Sequence, residues 1–142
     1  MLDKSAIRIL VIDDDSDFCN LLRMHLASAG YTAEVAEDAV EGGKAILARS
    51  PNLILCDINM PHLSGLELVE LLRADKFSAS IPVIFISGRS DGETITSAVK
   101  LGAADFLAKP ITRAELLKSV EACLTTGGRK PFAPETGFPP VV

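Results

Sequence analysis

Five short apolar runs alternate with amphipathic segments along most of this chain, and the third run is the most continuous. It comprises residues 53–56 and leads directly into Asp57, after which a polar turn contains Pro61. A short apolar run bounded by turn signals is typical of a strand buried on both faces of a parallel sheet. We therefore expect Asp57 at the carboxyl end of a central strand, where open α/β sheets place their ligands. Taken alone, Asp57 is equally well explained as the first residue of the turn.

The alternation predicts an α/β domain. We expect strands at residues 7–12, 32–36, 53–57, 82–87 and 105–108. Five strands that alternate with five helices predict a parallel sheet covered by helices on both faces. Known doubly wound sheets of this size, described as flavodoxin-like, take the strand order 2-1-3-4-5, with a switch point between strands 1 and 3. We adopt that order for this chain.

Pairs of residues with the spacing of an N-terminal capping box mark the starts of four helices. The pairs are Asp38 and Glu41, Ser64 and Glu67, Ser90 and Glu93, and Thr112 and Glu115. The stripe expected to face the core from the first helix consists of Phe18, Leu21, Leu22, Leu26 and Ala29. In the second helix Val40 and Leu47 are expected to face inward. Gly42 and Gly43 should leave this helix short and mobile, since glycine costs about 1 kcal/mol relative to alanine.

The composition suits one domain and excludes several classes of protein. The chain has 142 residues, and we expect the domain at residues 6–125 and a flexible tail or truncated linker, rich in Gly and Pro, at residues 126–142. Fourteen basic and nineteen acidic residues give a net charge of −5. This balance argues against direct nucleic-acid binding by this domain, because neutralisation of phosphates dominates such binding.

The expected location is the cytoplasm. No apolar run approaches the roughly 20 residues of a membrane span, and residues 1–5 lack the apolar core of a signal peptide. Cys19, Cys56 and Cys123 are odd in number and without CxxC spacing, which argues against a disulfide framework or a zinc site. We interpret them as buried thiols in a reducing compartment.

Polar side chains stand at four of the predicted strand ends. Asp13 and Asp14 follow strand 1, Asp57 ends strand 3, Ser87 ends strand 4 and Lys109 follows strand 5. Each has an ordinary explanation by itself, such as helix capping, a solvated hydroxyl or a surface ion pair. As a set they predict a shared site. Three neighbouring carboxylates repel one another unless their pKa values rise or a cation binds, and an all-oxygen set favours Mg²⁺.

Such a set is suited to take up a phosphoryl group covalently. Asp57 would be the nucleophile, and Ser87 would donate a hydrogen bond to the phosphoryl group. Lys109 and Mg²⁺ would offset the charge on the phosphoryl oxygens during transfer.

The segments around these residues resemble the receiver domain of bacterial two-component response regulators. They are Ile12-Asp13-Asp14-Asp15, Cys56-Asp57-Ile58-Asn59-Met60-Pro61, Ile86-Ser87-Gly88 and Phe106-Leu107-Ala108-Lys109-Pro110. The resemblance covers about residues 6–125. It implies that Asp57 is phosphorylated by a histidine kinase or a phosphotransfer protein. It further implies that Asp14 binds Mg²⁺ directly and that Asp13 contacts the ion through a water molecule. The backbone carbonyl of Asn59 would be another ligand of the ion.

The resemblance also implies how phosphorylation is reported. Ser87 would move toward the phosphoryl group and the ring of Phe106 would turn inward, which would reshape the face made by helix 4, strand 5 and helix 5. Phe106 is equally explained as a core residue. Asn59 and Arg89 match positions that tune the lifetime of the phosphoryl group, although a solvated loop arginine explains Arg89 at least as well. The output partner is not identified by the sequence, and a homodimer is possible.

Three other functions fit the sequence less well. A Mg²⁺-dependent phosphatase with an aspartyl nucleophile commonly needs a second acid two residues later, and Asn59 at that position cannot protonate a leaving group. A flavodoxin-like cofactor binder needs a phosphate-binding loop after strand 1, where this chain carries acids. A receiver-like adaptor that is never phosphorylated is disfavoured because every expected active-site group is present. The sequence therefore predicts a signalling module that takes and hydrolyses phosphoryl groups only on itself.

Overall fold

The computed structural model describes residues 3–89 and 91–125 and shows a five-stranded parallel sheet. The strands are β1 (Arg8–Ile12), β2 (Thr32–Ala36), β3 (Leu53–Asp57), β4 (Val83–Ser87) and β5 (Asp105–Ala108). Their order in the sheet is β2-β1-β3-β4-β5. The predicted α/β class and the predicted strand order are thereby confirmed.

A helix follows every strand. The helices are α1 (Ser16–Ser28), α2 (Ala39–Ala48), α3 (Gly65–Ala74), α4 (Gly92–Lys100) and α5 (Arg113–Thr125), and a 3₁₀ turn at Lys4–Ala6 precedes β1. None of the helices described in residues 3–89 and 91–125 has the length and apolar character needed to cross a membrane. The predicted tail at residues 126–142 lies outside the described residues.

Three of the four predicted capping pairs are present. They join Asp38 with Glu41, Ser64 with Glu67, and Thr112 with Glu115. The prediction for α4 was wrong by one residue, because the carboxylate of Asp91 accepts a hydrogen bond from the backbone N–H of Thr94 at 2.8 Å. Asp is as good an N-cap as Ser. Ser90, the predicted cap, lies outside the described residues.

Two apolar cores lie on the two faces of the sheet. One, the α2–α4 core, packs α2, α3 and α4 against residues such as Ile12, Cys56 and Phe85. The other, the α1/α5 core, packs α1 and α5 against residues such as Val11 and Leu55. Every residue of β3 and of β4 is buried, since each of these strands has a neighbour on both sides and helices on both faces. This arrangement buries the backbone that carries Asp57.

The side of α2 that packs against the sheet is not the predicted side but the opposite one. Val40 and Leu47 are 62% and 83% exposed, whereas Ala39, Gly42 and Ile46 are the buried residues of α2. A Cβ atom at Gly42 would lie 2.7 Å from Cδ1 of Ile12, so this glycine lets the helix approach β1 closely.

One residue of the predicted stripe on α1 also proves exposed. Leu21 is 43% exposed, and Cys19 is buried on the inner face of α1 together with Leu22 and Leu26. Cys19 therefore belongs to the buried stripe of α1, and Leu21 lies outside it. All three cysteines are buried thiols, as predicted.

Candidate functional site

The carboxyl ends of β1, β3, β4 and β5 bring five polar residues to one edge of the sheet. Asp13 and Asp14 follow β1, Asp57 ends β3, Ser87 ends β4, and Lys109 follows β5. Asp57 is paired in the sheet with Ile86, the residue that precedes Ser87 on β4. The backbone N–H of Lys109 donates to the carbonyl of Ser87 at 2.8 Å, which extends the ladder beyond β5. Parallel strands in this order therefore bring all five residues to the edge of the sheet that contains the switch point between β1 and β3.

Three carboxylates form an acidic pocket at this edge. Each of Asp13, Asp14 and Asp57 offers one oxygen, and these oxygens all lie within 4.8 Å of one another. Asp13 and Asp57 are only 1% and 3% exposed, whereas Asp14 is exposed. The pocket thus has a buried floor and an open side. Carboxylate oxygens at this spacing could hold a metal ion, and without His or Cys the set suits a hard divalent cation.

Asp13 is held in place by the segment that turns from β1 into α1. Its carboxylate accepts a hydrogen bond from the backbone N–H of Asp15 at 2.9 Å. Its backbone N–H donates to the carbonyl of Ala36 at 3.1 Å, and its carbonyl accepts from the thiol of Cys19 at 3.2 Å. Neighbouring strand, helix and turn therefore fix this buried acid before any ligand arrives.

Lys109 places its ammonium between the two buried acids. Nζ donates a hydrogen bond to Oδ2 of Asp13 at 2.9 Å and lies 3.6 Å from Oδ1 of Asp57. Burial lowers the pKa of this amine, but the hydrogen bond to Asp13 and the charges of Asp57 and Asp13 outweigh burial and leave the pKa raised. The group is therefore an ammonium at neutral pH. The peptide bond between Lys109 and Pro110 is cis.

Asp57 is an unusually weak acid for a carboxylate in a protein. Burial is the largest cause that raises the pKa of its carboxyl from 3.8 to about 6, and the negative charge of Asp13 adds to it. The Lys109 ammonium and the backbone N–H of Asn59 act in the opposite direction but do not cancel the rise. The negative charge of this carboxylate is poorly solvated and is repelled by a neighbouring acid. Binding of a cation or an electrophile therefore stabilises it.

The hydroxyl of Ser87 lies in a small hydrogen-bonded group beside the acids. Ser87 is fully buried, and its Oγ accepts hydrogen bonds from the backbone N–H of Arg89 at 2.9 Å and from Nδ2 of Asn59 at 3.3 Å. The guanidinium of Arg89 is largely exposed and pairs with Asp91 at 3.5 Å. Two N–H donors therefore hold the oxygen of this hydroxyl in place.

Phe106 lies on β5, two positions before Ala108, which pairs with Ser87 in the sheet. Its ring is partly buried and packs against the α2–α4 core. The next element is tied to the same strand, since the hydroxyl of Ser119 on α5 donates to the carboxylate of Asp105 at 2.5 Å. The structure thus joins β5 to both α5 and the core that α4 covers.

Two residues that the sequence analysis did not assign to the site contact it. The ring centroid of Phe18 lies 4.5 Å from Nζ of Lys109. At Gly65 a Cβ atom would lie 2.1 Å from the carbonyl oxygen of Asp57, so the first turn of α3 passes directly against the backbone of that residue. Phe18 lies only four residues after Asp14, which could have indicated a position near the site. Its position fits the apolar stripe of α1 equally well, so the sequence does not distinguish the two roles.

Comparison with known proteins gives a consistent result. A model of the response regulator receiver domain matches residues 9–121. The transcriptional regulatory protein RprY of Bacteroides fragilis is 37% identical over 118 residues, which cover 83% of this chain and 49% of RprY. The chain spans about half the length of RprY and of other regulators of similar identity.

Solved structures agree in fold and in extent. The CheY-like receiver domain protein of Methanospirillum hungatei superposes with a TM-score of 0.80 at 30% identity, covering 87% of this chain and 97% of its own. The receiver domain of NtrX from Brucella abortus gives a TM-score of 0.77 at 36% identity, covering 83% and 98% of the two chains. With its acidic pocket and lysine, this chain belongs to the response regulator receiver domain family, a family of phosphorylation-controlled signalling domains.

Proposed function

We propose that Asp57 is the residue that accepts the phosphoryl group, and that a phosphohistidine of a kinase or phosphotransfer protein supplies it. The observation that carries this proposal is the position of Lys109 Nζ, 2.9 Å from Asp13 and 3.6 Å from Asp57. An ammonium held there can balance negative charge that gathers next to the Asp57 oxygen. Family membership implies a cognate histidine kinase.

In the proposed reaction a carboxylate oxygen of Asp57 attacks phosphorus in line with the bond to the donor imidazole. The new O–P bond forms as the N–P bond breaks, and the imidazole nitrogen leaves with the electron pair and takes up a proton. Lys109 stabilises the negative charge on the transferring oxygens, and Ser87 donates its hydroxyl hydrogen to one of them. Water then attacks the phosphorus of the acyl phosphate, the O–P bond to Asp57 breaks, and inorganic phosphate and the free carboxylate are formed.

We infer that the acidic pocket binds Mg²⁺. The donor set fits this ion, because it consists of carboxylate oxygens from Asp13, Asp14 and Asp57, and Asp14 lies on the exposed side. The family resemblance adds the backbone carbonyl of Asn59 as a proposed fourth ligand. When bound, Mg²⁺ supplies positive charge that offsets the charge of the acids and of the phosphoryl group.

The proposed output is a change in the face formed by α4, β5 and α5. If Ser87 turns its hydroxyl toward a phosphoryl group, its hydrogen bonds with Asn59 and Arg89 must change. Phe106 lies next to this strand end and packs against the core that α4 covers. We propose that these two residues couple Asp57 to a partner-binding surface, as two states in equilibrium. A homodimer is one such use of the surface.

The proposed domain occupies residues 6–125, and residues 126–142 are proposed to form a flexible tail or linker. Since histidine kinases phosphorylate their regulators in the cytoplasm, we propose that the chain works there. The output partner, or an effector domain like those of the related transcriptional regulators, would read the phosphorylated state.

The direct test is phosphorylation of the whole chain by acetyl phosphate in the presence of Mg²⁺, read by intact mass. We expect one added phosphoryl group, and none after chelation of Mg²⁺ or in Asp57→Asn. Glu70→Gln, a change at an exposed acid on α3, is the matched control and should react like the wild type. A wild-type chain that gains no phosphoryl group, or an Asp57→Asn variant that still gains one, would refute the assignment.

A further inference from the structure

We propose that Phe18 is a positioning residue for Lys109, and that its ring holds the lysine ammonium over the acidic pocket during phosphoryl transfer. The inference rests on the proposed function of Asp57, because it concerns the same reaction. It adds an aromatic side chain of α1 to a site otherwise built from polar groups at strand ends.

The contact is a cation–π interaction. Nζ of Lys109 lies 4.5 Å from the centroid of the Phe18 ring, inside the distance of about 6 Å over which such pairs attract. The same nitrogen lies 2.9 Å from Asp13 and 3.6 Å from Asp57, and the Lys109 side chain is 27% exposed. Two carboxylates and one ring therefore contact the ammonium, and most of the Lys109 side chain is shielded from water.

The ring is fixed relative to the acids. Phe18 lies in the first turn of α1, and its backbone N–H donates to the carboxylate of the N-cap residue Asp15 at 3.1 Å. The N–H of Asp15 in turn donates to the carboxylate of Asp13 at 2.9 Å. The ring also packs against the α1/α5 core and is partly buried. One short segment thus orients both the ring and the buried acid toward Lys109.

The ring differs from the carboxylates in one respect that matters for the reaction. Asp13 and Asp57 are also the candidate metal ligands, so a bound cation would compete with Lys109 for their negative charge. The quadrupole of an aromatic ring offers no lone pair to a hard cation and is not lost in that competition. Lysine has a flexible stem of four carbons, which without the ring would let the ammonium move into solvent.

The test compares aromatic and aliphatic side chains at position 18 in the full chain. Phe18→Leu and Phe18→Met keep an apolar side chain but remove the ring, and Phe18→Tyr keeps the ring. We expect the rate of phosphorylation by acetyl phosphate, at saturating Mg²⁺, to fall about three- to tenfold in the Leu and Met variants. Phe18→Tyr should react at about the wild-type rate. Thermal unfolding of each variant identifies those that fold like the wild type.

A matched control removes a second cation–π pair that lies outside the site. Nζ of Lys76 lies 5.4 Å from the ring of Phe77, which is 80% exposed. Phe77→Leu should leave the rate unchanged. A double change gives the sharpest result: if Phe18 acts through Lys109, then Phe18→Leu should cause no further slowing in a Lys109→Gln background.

An NMR readout tests the contact in the metal-free protein, without any reaction. The ring current of Phe18 should displace the resonances of the Lys109 ε-methylene protons. We expect this displacement to be lost in Phe18→Leu and kept in Phe18→Tyr. Equal Lys109 ε-methylene resonances in the wild type and Phe18→Leu would show that the ring does not contact the lysine.

The outcomes separate the two hypotheses. Folded Leu and Met variants that react at the wild-type rate overturn the inference alone, and so does equal slowing by Phe18→Leu in the wild-type and Lys109→Gln backgrounds. A wild-type chain that takes up no phosphoryl group overturns the proposed function itself. Slowing by Leu and Met, rescue by Tyr and the ring-current difference together establish the role of Phe18.

Discussion

Nζ of Lys109 donates a hydrogen bond at 2.9 Å to the carboxylate of Asp13, a residue 96 positions earlier in the chain. The bond spans the sheet from the loop after β5 to the loop after β1, across the end of β3 where Asp57 lies. It places the ammonium of Lys109 next to the buried carboxylates of Asp13 and Asp57. The stability of the free protein and its response to cations both follow from this balance.

The charge on Asp57 should destabilise the metal-free fold at neutral pH. Because burial and Asp13 raise its pKa from 3.8 to about 6, the folded state binds more protons than the unfolded state between these values. Stability contributed by this group is therefore lost as pH rises from about 4 to about 6. Asp57→Asn should be more stable than the wild type at pH 7 by on the order of 1–3 kcal/mol.

Thermal or urea unfolding from pH 4 to pH 7.5, without divalent cations, measures this effect. The advantage of Asp57→Asn should shrink toward pH 4, where the wild-type carboxyl is protonated. Glu70→Gln, at an exposed position, should show no comparable trend. An Asp57→Asn variant less stable than the wild type at pH 7 would contradict the prediction.

Binding of Mg²⁺ should weaken as the pH falls below the pKa of Asp57. Each pH unit below about 6 makes the carboxylate roughly tenfold scarcer, so the apparent Kd should rise by about tenfold from pH 7.5 to pH 5. Titration calorimetry, or the rise of Tm with added Mg²⁺, gives the Kd at each pH. Chelation should reverse the rise of Tm. An apparent Kd that is constant over this range would show that Asp57 does not bind the ion.

Gly65→Ala should disturb the site through the backbone. Its Cβ would lie 2.1 Å from the carbonyl oxygen of Asp57, so α3 or the end of β3 has to move. We expect a loss of about 1–3 kcal/mol in the free energy of unfolding and slower phosphorylation by acetyl phosphate. The control is Gly43→Ala on α2, where a Cβ would have no atom within 4 Å. It should instead stabilise the helix by about 0.5–1 kcal/mol.

The proposed switch predicts where spectral changes appear. Addition of beryllofluoride and Mg²⁺, which mimics phosphorylation, should shift backbone amide resonances of α4, β5 and α5, including that of Phe106. Ser87→Ala should reduce these shifts, since it removes the hydroxyl that Asn59 and Arg89 contact. Resonances around the exposed residue Leu47 of α2 should stay in place. Amide shifts confined to the acidic pocket would refute this route.

Local sequence was enough to locate the elements. The apolar run that ends at Asp57 is a strand because continuous apolarity suits a position with neighbours on all sides, and the Ser64–Glu67 pair starts a helix because it satisfies free backbone groups. Polar residues at strand ends also indicated a common site, since parallel strands bring their carboxyl ends to one edge. The strand order itself was taken from known sheets and then confirmed.

What local sequence left undecided was which surface of an element meets which neighbour. Val40 and Leu47 are seven residues apart and share one side of α2, but that side is the outer one, because Gly42 lets the opposite side approach Ile12. Phe18 fits an apolar stripe equally well with or without a lysine above its ring. The contact with Lys109 exists only because β1 and β5 end at the same edge. Periodicity along a chain specifies which residues share a face, whereas the packing of distant segments decides what that face touches.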